Sequence, residues 1–469
     1  MRVSNRYYTL LFAALFSLLI SCEKKIDPEP NNGNVPDISE QTKYINNWIF
    51  DGMHEVYLWE EHIPAGRDPE TAPNSKKFFD GFLYDIDRFS WIHDDYDALM
   101  GQYYGVQESI GYSLAFGRIG GTDTLFAMVE YIYRDSPADS AGLIRGDIIL
   151  EMDDRSLTVF NYLDLYQTNS VTLTMGEATP GGLKLTDNKV SLQARVIAED
   201  PAVFWDVLEA DGHKVGYLAY VSFTSGQSDE YLLTLNTVFQ DFAAAGVTDM
   251  ILDLRYNPGG DMESAGWMAS GVCPAAQVDN KDIMVRFQWN SGYTQYFMQR
   301  EGENSDNLIF RFPSNPYNLD LDRIFVFTTD NTASASEFTI TGLYPYMDVI
   351  SIGDTTYGKY TGAWIIPDLA DPPKHNWAMI PIVMKYANAD GFSEFNYGLA
   401  PDYEADSYYF PLLPFGDSQD PCTAQALSII TGQPVSGYLK SETRQLPVEW
   451  METPINEFKR NLYLKPDLK

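Results

Sequence analysis

The stretch "TDMILDLRYNPGG", residues 248–260, decides the fold. Met250 to Leu254 is an apolar run interrupted only by Asp253, bounded by turn residues, which reads as a buried strand. It runs straight into Asn257-Pro258-Gly259-Gly260, a glycine-rich turn. A buried strand whose C-terminal end opens into such a loop is the layout of an open α/β sheet, where sites gather at the strand ends.

Working outward, the same alternation recurs. "KVGYLAYVSF" (214–223) reads as a strand and "SDEYLLTLNTVFQDFAAAG" (228–246) as a helix stopped by Gly246. "DRIFVFTTD" (322–330) is a further strand, followed by "NTASASEFTITGLY" (331–344), a turn and helix. "MDVISIGDTTYGKYTG" (347–362) adds one more strand and a second glycine loop. Three loops thus follow three strands, carrying Asn257–Gly260, Ser334 and Tyr357-Gly358-Lys359.

That set has a chemical reading. A serine hydroxyl needs an adjacent base to attack, and a lysine whose pKa is lowered by burial can serve. Ser–Lys pairs are a variant of the triad logic. A Ser-His-Asp arrangement lacks support, because the nearest histidine, His375, sits in the proline-rich connection "DPPKHNW". Ser334-Ala335-Ser336-Glu337 also fits a capping box, with Ser334 capping the helix and Glu337 reaching back. The two readings are compatible, since a helix start supplies N–H groups that stabilise an oxyanion.

The rest of the chain bounds the class. At 469 residues, two or three domains are expected. Acids outnumber Lys and Arg 66 to 32, a net charge of −34, which argues against nucleic acid or an anionic membrane surface as partner. Residues 38–100 show helical spacing, with Ile45, Trp48, Ile49, Met53, Val56 and Tyr57 on one face and a second helical element over "KKFFDGFLYDIDRFSWI" (76–92). From about Gln102 to Val196 the texture changes to short strands and glycine turns. Cys273 and Cys422 are left open as a pair, and the scattered histidines offer no metal-ligand spacing, so neither metal nor cofactor is expected.

The amino terminus, "MRVSNRYYTLLFAALFSLLISC", has Arg2 and Arg6 ahead of an apolar stretch from Leu10 to Ile20, a secretory leader layout. Its end, "LISC", resembles a bacterial lipobox. That resemblance implies cleavage before Cys22, acylation of Cys22 and a place in the cell envelope, with "EKKIDPEPNNGNVPD" (23–37) as a flexible tether. Loss of Arg2 and Arg6 with the leader would take the net charge to −36.

Two further resemblances carry most of the functional reading. "ESIGYSLAF" (108–116) and "YRDSPADSAGLIRGDIILEMD" (133–153) together resemble a PDZ domain. The resemblance implies that Ile110, Gly111, Tyr112 and Ser113 form a loop for a peptide C-terminal carboxylate, the peptide adding as a strand. The loop departs from the common Gly-Leu-Gly-Phe form. The core, through "GYLAYVSF", "LDLRYNPGG", "TASASE", "GDTTYGK" and "YGLAPD" (397–402), resembles the C-terminal-processing (tail-specific) serine peptidases. In that family the nucleophile is the first serine of the Ser-Ala-Ser-Glu run and the lysine lies 25 positions on. Ser334 and Lys359 have that separation.

The resemblance implies that Ala335 and either Gly259 or Gly260 donate backbone N–H groups to the oxyanion. It also makes Glu337 structural, while Arg255 and Asp253 are expected to pair. Many relatives carry a glutamine four residues after the lysine; here Ala363 stands there, leaving Thr361, a backbone carbonyl or nothing to orient Lys359.

The expectation is therefore a multi-domain α+β protein. Its parts are a leader (1–21), a tether (22–37), a helical N-terminal region (38–100), a PDZ-like β-domain (101–197), an α/β Ser–Lys peptidase core whose strand-end loops form the site (198–436) and a surface-packed tail (437–469). Its partners would be protein or peptide substrates with accessible C-termini, and the membrane through Cys22. The rival readings are a PDZ peptide-binding lipoprotein of weak activity and, from 31 Tyr and 9 Trp, a surface glycan-binding lipoprotein.

Overall fold

The computed structural model describes residues 38–434, 448–451 and 462–463. The leader, the tether and Cys22 lie outside them. The first helix, α1 (Glu40–Val56), is capped by Ser39, whose hydroxyl accepts from the Thr42 N–H, and it buries Ile45, Ile49, Met53 and Val56 as its periodicity predicts. The next helix, α2 (Ser75–Asp80), stops at Gly81, so the helical element expected over residues 76–92 is short. Further on, Asp87 Oδ1 accepts from the Phe89 and Ser90 N–H groups at 2.9 and 3.0 Å, a local turn that competes with helix there. Trp91–His93 then pairs as a strand with Ala378–Ile380 of the core.

An antiparallel unit follows. β1 (Tyr112–Ile119) pairs with β2 (Leu125–Ile132), and Ile148–Met152, Ser170–Thr179 and Gly182–Gln193 continue the sheet. Leu114, Phe116, Leu125, Ala127, Ile149 and Leu173 form its own core. The expected boundary at residue 101 falls inside the helix Tyr96–Tyr103.

The core of the molecule is built in chain order from β3 (His213–Tyr220), α3 (Glu230–Ala245), β4 (Asp249–Asp253), β5 (Gly260–Asp261), α4 (Met262–Val272), β6 (Arg323–Thr328), α5 (Ala335–Leu343), β7 (Asp348–Gly353), β8 (Thr361–Ala363) and α6 (Pro421–Thr431). β3, β4, β6 and β7 lie side by side and parallel. Ala202–Ala210 flanks β3 antiparallel and Tyr403–Glu404 flanks β7 parallel.

Alternation sorts the strand side chains onto two faces. Leu218, Tyr220, Met250, Leu252, Ile324 and Val326 pack under α3, α4 and α5. Tyr217, Ile251, Phe325 and Phe327 pack against Ala426 and Ile430 of α6. Cys273 belongs to the first face and Cys422 to the second, so the two cysteines are buried apart and unpaired.

The expected tail is not merely packed on the surface. β9 (Val448–Trp450) adds to the free edge of β1, and β10 (Leu462–Tyr463) lies between β5 and β8, parallel to both.

A buried charge cluster fixes α6 to the end of β4. Arg255 is 1% exposed; it contacts Asp253 at 2.7 Å and Asp420, the N-cap of α6, at 2.9 Å. Burial alone would raise the Asp420 carboxyl, but the Arg255 guanidinium beside it holds it below the ordinary range. Removing one partner strands the other charge in the interior. Asp420→Ala should therefore lower the unfolding free energy by about 3–5 kcal/mol in denaturant titration. Lys184→Ala, which breaks an exposed, solvent-screened pair with Glu177, should leave it nearly unchanged. Equal effects would contradict the role of the cluster.

Candidate active site

Three loops leave the C-terminal ends of adjacent parallel strands: 254–260 after β4, 329–334 after β6 and 354–359 after β7. They are stitched to one another. The Ala333 N–H donates to the Asn257 carbonyl at 3.2 Å, the Tyr357 N–H to the Thr332 carbonyl at 2.9 Å, and the Thr332 hydroxyl to the Leu254 carbonyl at 2.8 Å. Ser336 is used in the same way, its hydroxyl donating to the Asn257 carbonyl at 2.9 Å. Ser334 is not so used: its Oγ is buried and has no hydrogen-bond partner among the described residues.

Ser334 sits at the turn into α5 with φ +58° and ψ −107°, a conformation that non-glycine residues avoid. What holds it there is Glu337. The carboxylate half of the expected capping box is made, Glu337 Oε2 accepting from the Ser334 N–H at 2.7 Å, but the Ser334 hydroxyl closes no cap bond. The same Oε2 accepts from the Lys359 N–H at 2.8 Å, and Oε1 accepts from the Gly358 N–H at 2.7 Å and the Thr356 hydroxyl at 2.5 Å. One buried carboxylate thus ties the backbone of Ser334 to that of Lys359. Burial pushes the Glu337 carboxyl up to about 7, opposed by these four donors.

Lys359 is fully buried. Burial drives its ammonium well below the ordinary lysine range; Asp87 and Glu337 oppose the shift and Arg88 adds to it. Its wall comes from the turn after α2. Lys359 Nζ lies 4.7 Å from the centre of the Phe89 ring, and Arg88 donates to the Gly358 carbonyl at 3.3 Å while stacking on Phe89 and Tyr357. Thr361 does not hold the lysine through its hydroxyl, which has no hydrogen-bond partner among the described residues. Sequence reading missed Asp87, Arg88 and Phe89, since an Asx turn 270 positions upstream of the lysine loop carries no signal of its partner.

Gly259 and Gly260 adopt φ +108° and +131°. A Cβ on Gly259 would lie 2.7 Å from Ser334 Cβ and 2.9 Å from the Ala335 nitrogen, so this backbone abuts Ser334 and the first N–H of α5. The Gly259 N–H donates to Asn257 Oδ1 at 2.9 Å and is engaged locally. Gly260 carries the Gly259 loop into β5, beside β10. "YGLAPD" supports the lysine loop from below: the Leu399 N–H donates to Thr356 Oγ1 at 2.8 Å and Asp402 accepts from the Ser351 N–H.

The four residues expected to capture a carboxylate sit apart, on the antiparallel unit. Ile110 is buried, and its carbonyl accepts from the Ala138 N–H at 3.0 Å. Gly111, at φ +87°, spends its N–H on Ser109 Oγ and its carbonyl on the Tyr133 N–H. Tyr112 pairs with Ile132, and the Ser113 hydroxyl donates to Glu130 at 2.7 Å. This unit reaches the site loops through Arg145, which donates to the Tyr256 hydroxyl at 2.8 Å and to the Glu130 carbonyl at 2.6 Å. His375 instead packs on Tyr44 and Trp48 near α1.

Known proteins share this layout. Peptidase family S41 matches residues 214–405, and the peptidase S41 N-terminal domain matches residues 44–91; together they span just over half of the chain. The carboxy-terminal processing protease CtpA of Bacillus subtilis (strain 168) is 23% identical over 396 residues, covering 82% of this chain and 75% of its own. Its relative CtpB from the same strain is 24% identical over 285 residues, 59% of this chain and 54% of its own. A crystal structure from Bacteroides fragilis NCTC 9343, assigned to the S41 proteases, is 26% identical with a TM-score of 0.70, over 87% of this chain and all of its own. Over those residues the chain is similar to peptidase family S41, a family of serine peptidases.

Proposed function

We propose that the protein is a serine endopeptidase with a Ser334–Lys359 dyad, acting on proteins or peptides recognised by their C-terminal segment. The observation that carries this is the sharing of Glu337 Oε2 between the Ser334 and Lys359 N–H groups, beside a buried serine hydroxyl that bonds to nothing else. Lys359, neutral because it is dry, takes the proton from Ser334 Oγ as the oxygen attacks the scissile carbonyl. The Ala335 N–H at the start of α5, with Gly260 or a released Gly259, stabilises the oxyanion. Collapse of that intermediate expels the amine, which takes the proton from the Lys359 ammonium, and leaves an acyl-enzyme; Lys359, neutral again, takes a proton from the attacking water and returns it to Ser334 Oγ as the acid product leaves. No step calls for a metal or cofactor.

The antiparallel unit fits the role of a PDZ domain, with Ile110, Gly111, Tyr112 and Ser113 receiving the substrate carboxylate once the Gly111 N–H is released from Ser109 Oγ. Leader removal and acylation at Cys22 would place the enzyme on the cell envelope, facing protein substrates.

Ser334→Ala and Lys359→Ala should each lower cleavage of an unfolded protein with an apolar C-terminus by on the order of 10³-fold or more, with far-ultraviolet circular dichroism unchanged. Retained cleavage in both would contradict the dyad. No cleavage by the unaltered chain, with C-terminal peptides still bound, would favour the peptide-binding reading.

Activity requires the neutral amine, so kcat/KM should fall as pH falls through the Lys359 pKa, at a pH below the ordinary lysine range. Phe89→Ala admits water to Lys359 and should move that acid limb to higher pH, which a change in folding alone would not do.

Glu337→Gln presents an amide NH2 to groups that already donate. It should cost about 2–3 kcal/mol of stability and on the order of 10²-fold in kcat. Unchanged kinetics would show that the carboxylate does not position the pair.

A further inference from the structure

β9 and β10 bring residues of one C-terminal segment to both ends of the route a substrate would take. A sheet edge accepts one added strand. β1 has β2 on one side, and on the other β9 runs antiparallel to it, with Val448 opposite Ile119, Glu449 opposite Arg118 and Trp450 opposite Gly117. The Met451 N–H donates to the Phe116 carbonyl at 2.8 Å. Side chains set the register. Glu449 accepts from Arg118 at 2.6 and 3.0 Å, Trp450 donates its indole N–H to the Tyr408 carbonyl at 2.7 Å, and Val448 and Trp450 pack on Phe126, Ile148 and Phe410. At the other end, β10 lies between β5 and β8, pairing with Gly260 and Asp261 on one side and Gly362 and Ala363 on the other. Gly260 adjoins the glycine that abuts Ser334.

We propose that this segment is a resident competitor for substrate, holding the β1 edge and the β5–β8 slot until an extended polypeptide displaces it. The inference rests on the peptidase reading only in naming the competitor a substrate. Covering an exposed edge also guards against aggregation, but that need would not place a second strand against the glycine loop of the site. The hold is weak by construction. β9 is three residues long, and its ion pair joins an Arg118 side chain 25% exposed to a Glu449 side chain 62% exposed, so solvent screens it. The same contacts give the chemistry of a ligand for the β1 edge: an extended peptide reading apolar, acidic, aromatic, apolar.

The test uses the full chain with Ser334→Ala, which removes turnover, and a fluorescent peptide of sequence LPVEWMET, residues 446–453. Glu449→Arg reverses the charge opposite Arg118 and should tighten peptide binding at least fivefold by loosening β9. Arg118→Glu alone also loosens β9, and it should bind the charge-reversed probe LPVRWMET more tightly than the swap Arg118→Glu with Glu449→Arg, which restores the internal pair. Trp450→Ala, which removes the packing instead of the charge, should behave as Glu449→Arg does. Equal affinity across these forms overturns the proposal. In chains that keep Ser334, the loosened variants should lower KM severalfold at unchanged kcat. Should no form cleave any substrate while the affinity differences persist, the peptidase reading falls and the resident strand stands.

Discussion

The whole site hangs on one carboxylate. Glu337 occupies the third position of α5 and reaches back to the Ser334 N–H, yet its two oxygens also hold the Lys359 and Gly358 N–H groups and the Thr356 hydroxyl. Four donors aimed at one buried acid would each be stranded without it, which makes the arrangement hard to relax. Because β6 and β7 are neighbours in the sheet, their loops already leave side by side, and Glu337 fixes the remaining freedom. Ser334 can then be kept in a backbone conformation that a serine would not choose, with its hydroxyl unengaged.

The dryness that suits the lysine comes from a different part of the chain. Phe89 lies under the amine and Arg88 covers the neighbouring Tyr357 and Gly358. Asp87 shapes this turn by accepting from the Phe89 and Ser90 N–H groups, and the turn walls off Lys359. Burial and one nearby carboxylate of each kind, Asp87 and Glu337, pull the lysine in opposite directions, and burial wins. Ala363, four residues after the lysine, is fully buried, pairs in the sheet and packs in the same cluster as Phe89.

Local signals made the core legible. Alternating apolar residues marked β3, β4, β6 and β7, Gly246 stopped α3 in a left-handed conformation, and glycines marked the loops. The choice between Ser334 and Ser336 needed the 25-residue separation, and the geometry adds that Ser336 is tied to the Asn257 carbonyl. What escaped was non-local. The Asp87 turn reads as nothing more than a bend until its partner loop is in place. "VEW" is too short to announce a strand, because its pairing depends on an edge some 330 residues away. The Gly259 N–H looked free for an oxyanion, but an Asx contact from Asn257 two residues earlier takes it.

The proposed dyad makes Ser334 a nucleophile activated by a desolvated lysine. Its most direct measurement is the site and rate of covalent modification by an acylating β-lactone, followed by peptide mass mapping. A single adduct on Ser334, formed at a rate that levels off at a pH below the ordinary lysine range and lost in Lys359→Ala, is the predicted result. An adduct on Ser336, or a rate that keeps climbing to pH 10 as for an ordinary solvated lysine, would contradict it.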